Sequence, residues 1–103
     1  MARVPRVYES VDGSSEVRSE DVWKTRLEAT LRRAERLASL YKDARQGGNP
    51  QWARNYYKHA RREAREASKM IGVLEIEFGA GMAHEIERTR TVFSEVSQSP
   101  ESQ

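Results

Sequence analysis

Residues 47–78 read GGNPQWARNYYKHARREAREASKMIGVLEIEF, and this stretch decides the fold. It opens on punctuation. Glycine accepts the left-handed conformation that ends a helix, Asn49 can cap the next one, and Pro50 fits a first helical position, where a backbone N–H would be unpaired anyway. From there Ala53, Tyr57, Ala60, Ala64, Ala67, Ile71, Leu74 and Phe78 recur at alternating steps of four and three. That is a heptad seam along one helix face. Its first half is mostly alanine, which lets a neighbouring helix approach closely, and its second half is bulky. A helix over 50–78 is therefore expected, ending at the break Gly79-Ala80-Gly81.

Working back, Trp23, Leu27, Leu31, Ala34, Leu37, Ala38, Tyr41 and Ala44 fall at helical spacing, so a first helix is expected over 19–46. Ser19 before Glu20 and Asp21 reads as its N-cap with acids in the first turn, where the helix dipole favours negative charge. A short connection such as 47–49 joins antiparallel neighbours. Working forward, a shorter third helix over 82–97 would carry Met82, Ile86, Phe93 and Val96. One competing pattern exists: Leu74-Glu75-Ile76-Glu77-Phe78 alternates as a strand does, and 87–93 could pair with it as a hairpin. The unbroken heptad favours helix. The expected fold is all-α, two long antiparallel helices plus a short third element, assembling as a four-helix homodimer. Residues 1–18 are expected to form a flexible segment and 98–103 a disordered tail.

Composition supports a thin interior. The chain has 103 residues, is 37% hydrophobic and 33% charged, and has a mean hydropathy of −0.87. One domain of this make-up has too little apolar material for a deep-pocketed enzyme, and thin cores of this size commonly need association. There is no cysteine, which excludes thiol catalysis and thiolate metal sites. No stretch approaches the roughly 18 apolar residues of a membrane span, and no apolar run near Met1 reads as a signal peptide, so a cytoplasmic setting is expected.

The net charge of +2 hides an uneven distribution. Residues 24–69 hold 13 basic and 5 acidic residues, or +8, between flanks of −2 and −4. Arginine outnumbers lysine 14 to 4, and its planar, multi-donor head suits phosphate. On an ideal helix Arg54, Lys58, Arg61, Arg62, Arg65 and Lys69 share an arc of roughly 100° opposite the seam. The first helix adds Arg26, Arg33 and Arg36, while Arg32 has Glu28 four residues before it as an ion-pair partner. Cations spaced along two helices suit backbone contacts to a duplex, and in RNA the 2′-hydroxyls as well. Charge on a helix is otherwise a solvated face, and Trp52 and Tyr56 beside these cations serve packing more often than base stacking. Asn55, beside the stripe, is read as solvent-facing rather than as a base-edge contact.

Catalytic patterns are weak. His84-Glu85-Ile86-Glu87-Arg88 imitates half of a helical zinc motif, but Arg88 stands where the second histidine must be. His59 and Glu63 suggest an exposed ion pair rather than a general base. No enzyme activity, metal, cofactor, small-molecule substrate or membrane partner is expected.

The layout of two long helices, a short third element and a basic helical face resembles the small dsRNA-binding silencing suppressors of insect nodaviruses. The likeness is architectural and carries over no site residue. It implies double-stranded RNA as ligand. The expected function is a non-enzymatic homodimer that covers duplex nucleic acid, RNA ahead of DNA. The alternative is an adaptor that binds a partner helix or an acidic protein.

Overall fold

Asn49 turns the chain at the point where the sequence punctuates it. Its side-chain oxygen accepts a hydrogen bond from the Trp52 N–H at 3.3 Å, Pro50 opens the helix behind it, and Gly48 takes the left-handed φ of 71° that the reversal needs. A computed structural model describes residues 14–97, with side chains from Glu20 onward. Three helices follow in order: α1 Ser14–Gln46, α2 Pro50–Phe78 and α3 Ala83–Glu95. No strand occurs among the described residues, so the hairpin alternative over 71–93 is overturned. Gly79 closes α2 with φ 64°: its N–H donates to the Glu75 carbonyl and the next N–H, of Ala80, donates to the Leu74 carbonyl, and this cap holds Leu74 to Phe78 helical despite their alternation.

Two helices differ from expectation in their bounds. Helix α1 starts at Ser14 rather than Ser19, which places the Ser19-Glu20-Asp21 signal inside the helix. Residues 14–18 are thus helical, while the rest of the expected flexible segment, 1–13, and the expected tail, 98–103, lie outside the described residues. Helix α3 spans Ala83–Glu95, slightly shorter than 82–97.

Helices α1 and α2 lie antiparallel, and the seam of α2 is buried against α1 of the same chain. Ala53, Ala60, Ala64, Ala67, Ile71 and Leu74 are all buried. Toward the turn, the alanines meet Ala34, Ala38 and Tyr41, and Val92 and Val96 of α3 complete the cluster. Toward the other end, Leu27, Leu31, Ile71, Leu74 and Met82 form a bulkier cluster. On α3 the inward residues are Thr89 and Val92, with Met82 and Val96 at its ends, whereas Ile86 and Phe93 are half-buried. Thr89 satisfies its hydroxyl by donating to the Glu85 carbonyl at 2.9 Å.

Arg88 fastens α3 to α1. Its guanidinium donates to Glu28 at 2.7 Å and to Glu35 at 2.8 and 2.9 Å, and Glu28 also accepts from Arg32 at 2.8 Å. Lys42 and Glu95 add a second α1–α3 ion pair at 3.2 Å. Hydrogen bonds from Arg88 hold both the Glu28 and Glu35 carboxyls below the ordinary carboxylate range, against the opposing effect of partial burial. Groups whose folded pKa is depressed stabilise the fold above their unfolded pKa, and the effect fades as pH falls through the folded value. Docking of α3 is therefore expected to weaken below about pH 4. Arg88→Ala should cost about 1–2 kcal/mol at neutral pH and flatten that acid dependence. Hydrogen exchange of α3 amides against pH measures both, and an acid profile unchanged by the substitution would show that the clamp does not set it.

Candidate nucleic-acid interface

Burying the α2 seam turns the opposite side of that helix outward. Lys58, Arg62, Arg65 and Lys69 are exposed along this outer edge. Lys69 pairs with Glu66 at 3.3 Å, and Arg62 lies 3.9 Å from Glu63. Among the described residues Lys58 and Arg65 join no ion pair. They sit seven residues apart, two helical turns or about 10.5 Å along the axis. Asn55 is exposed beside them, as expected.

Two stripe members have other surroundings. Arg54 is half-buried near the turn. Arg61 is also half-buried: its guanidinium lies over Tyr57 at 5.5 Å and Phe93 at 5.2 Å and donates to the Val96 carbonyl at 3.3 Å. The stripe's edge is where α3 packs, so Arg61 holds the end of α3, and substituting it is expected to loosen that end. Sequence periodicity put it with the outward cations because the wheel alone does not show where α3 lands.

Within one chain the α1 patch touches the stripe at a single point, Glu63, which both Arg33 and Arg62 approach. Arg33 reaches Glu63 at 3.3 Å and the Thr30 hydroxyl at 3.2 Å, on the flank of the hairpin away from α3. Arg61, by contrast, reaches Val96 on the α3 flank. Arg26 and Arg36 are exposed, and their helical angles place them on the Arg33 flank and the outer side of α1 respectively. Glu63 thus answers Arg33 and Arg62 rather than His59, which corrects the expected His59–Glu63 pair.

The flank away from α3 is the less covered side of the hairpin. Leu37, Leu40, Ala44, Tyr56 and Met70 are half-buried by their own chain, and Trp52, stacked on Tyr56 at 5.7 Å, is 53% exposed. Among the described residues no cluster of metal-ligating side chains occurs, and no helix is long and apolar enough to cross a membrane. His84 is exposed, and Arg88, the residue that broke the zinc pattern, serves the α1–α3 clamp.

Comparison with protein-family models, curated proteins and solved structures finds no match to this chain, so the likeness to nodaviral suppressors rests on layout alone.

Proposed function

We propose that the chain is a non-enzymatic homodimeric protein that binds double-stranded nucleic acid, RNA ahead of DNA, through phosphate contacts from the outer edge of α2. The observation that carries this reading is the row Lys58, Arg62, Arg65 and Lys69, exposed on the side of α2 opposite a buried seam. Helix α2 is about 43 Å long, a straight support for cations that meet successive phosphates. No protruding element suited to a groove is needed, because phosphate contacts and 2′-hydroxyls report duplex shape rather than sequence. Such a protein acts by covering the duplex, as a silencing suppressor that sequesters dsRNA would.

The dimer part of the proposal is supported by the less covered flank. Aromatic and aliphatic side chains there, with Trp52 half in solvent, have the composition of an interface core. Two hairpins laid flank on flank make a four-helix arrangement and bring two cationic edges into one particle. An adaptor working through the α2 seam would first have to displace α1, which fills it.

Gel shifts with duplex RNA, duplex DNA and single strands at several salt concentrations test the reading. Counterion release gives a log–log salt slope of about −0.9 per phosphate contact for B-DNA, hence roughly −4 for four cations and −7 for two chains. Duplex binding with a slope in that range, insensitive to sequence, is the expected result. Absence of salt-dependent duplex binding would leave the row as a solvated face.

A further inference from the structure

Gly72 sits in the interior of α2, where glycine costs roughly 1 kcal/mol of helix stability relative to alanine. Nothing among the described residues requires it, since a Cβ there would meet no atom of theirs within 4 Å. One turn later Ile76 is 82% exposed, on a helix that buries its other aliphatic residues wholly or in part. Beside both runs an open groove of about 370 Å³ between α2 and α3, with Ile71, Gly72, Ile86 and Phe93 in its lining and Glu75 and Arg90 among its charged residues. A protruding knob and an apolar groove therefore share one side of the molecule, four residues apart.

Charge along this segment changes sign at the same glycine. Arg65 and Lys69 precede Gly72, with Glu66 between them turned about 120° away from this face, while Glu75 and Glu77 follow it, and all five are exposed. Glu75 joins no ion pair among the described residues. The sequence is thus antisymmetric about position 72: Lys69 lies three residues before it and Glu75 three after, Ser68 four before and Ile76 four after. On an ideal helix Ser68, Lys69, Gly72, Glu75 and Ile76 occupy one arc of about 120°. Antiparallel helices related by a two-fold axis at Gly72 would set each residue before it against its counterpart after it.

We propose that this face of α2 docks a second copy of the chain, in an antiparallel α2–α2 contact centred on Gly72. The missing side chain at Gly72 lets the two backbones approach. Ile76 of one copy enters the groove of the other, over the small Ser68, and Lys69 exchanges its local pair with Glu66 for the partner's Glu75. The same contacts form twice, as an isologous interface requires. A single helix crossing of this kind falls below the roughly 1,200 Å² of a stable complex, so the contact is a weak, reversible and salt-sensitive one. It is separate from the flank that carries Trp52 and Tyr56, but it draws Lys69 out of the cationic row, so a bound duplex and this contact compete for that residue.

The absence of cysteine makes the test direct. Gly72→Cys, introduced into the full chain without nucleic acid and oxidised mildly, is expected to form a disulfide-linked dimer at least about tenfold faster than Asn55→Cys, an exposed position elsewhere on α2 that reports random collision. A mixture of Ser68→Cys and Ile76→Cys chains should link to each other faster than either links to itself. Ile76→Cys needs no repacking, so this arm reads the register even if Gly72→Cys unfolds the helix. Lys69→Glu or Glu75→Lys should slow the Ser68–Ile76 linkage, and the two together should restore it. Linkage at 72 no faster than at 55, a Ser68–Ile76 mixture without preference, or a charge exchange that fails to rescue would each overturn the contact. A chain that links through position 72 yet ignores duplexes would reject the nucleic-acid reading and leave this contact standing.

Discussion

Ala60→Glu, or Ala64→Arg, is expected to lower the unfolding free energy by several kcal/mol, on the order of 4, a large share of what a domain of this size possesses. Both alanines are 0% exposed between α1 and α2, with Ala34, Ala38 and Tyr41 in the same cluster. A carboxylate or guanidinium there must either stay buried without a partner or push the helices apart, and separating them exposes the whole alanine half of the core. The loss is expected within a single chain, because the seam is closed by α1 rather than by a second copy. Chemical denaturation at two protein concentrations measures it. A midpoint close to the parent's would mean that the hairpin is not packed this way, and a loss seen only at low concentration would mean that the seam belongs to an assembly.

The second large effect concerns Lys58 and Arg65. Reversing both, as Lys58→Glu with Arg65→Glu, replaces two exposed cations that have no ion-pair partner among the described residues. Melting should be unchanged within about 0.5 kcal/mol, as for surface positions generally. Duplex affinity at low salt should fall on the order of 100-fold, for all sequences alike, and the salt slope should become shallower by about 2 per chain. These two positions isolate the outer edge of α2 more cleanly than Arg61, whose substitution would also release Val96 and Phe93. Full retention of duplex binding in the double variant would remove the edge from any role in it.

Much of this was legible in the residues, for identifiable reasons. The bounds of α2 follow from Asn49, Pro50 and Gly79, three residues whose backbone preferences leave few alternatives, and the structure places them as cap, first position and left-handed stop. The start of α1 was not legible, because Ser19-Glu20-Asp21 suits a first turn and a helix interior alike, and only the continuing chain distinguishes them. The alternation at Leu74 to Phe78 served two periods at once, and the helix that won leaves Ile76 exposed as its residue of conflict. Arg88 was invisible as a clamp because its partners stand 53 and 60 residues away. Arg61 was misplaced for the same reason: a helical wheel knows its own helix and not the neighbour that later covers one side.

The Gly47-Gly48-Asn49 turn has a consequence for how the chain is made. It joins helices whose contacts are close in sequence near the turn and grow more distant only gradually away from it, and such low contact order folds in microseconds to milliseconds. Ribosomal synthesis at about 5–20 residues per second is far slower. Once α2 has emerged, the α1–α2 zipper can close from the alanine end before α3 leaves the tunnel, so the cationic edge of α2 is set out early. The last step is the arrival of Arg88 at Glu28 and Glu35 together with Val92 and Val96, which seals the remaining side of the core. Nascent chains of increasing length would therefore resist proteolysis in α1 and α2 from about residue 78 outside the tunnel, with full protection only when Val96 is out.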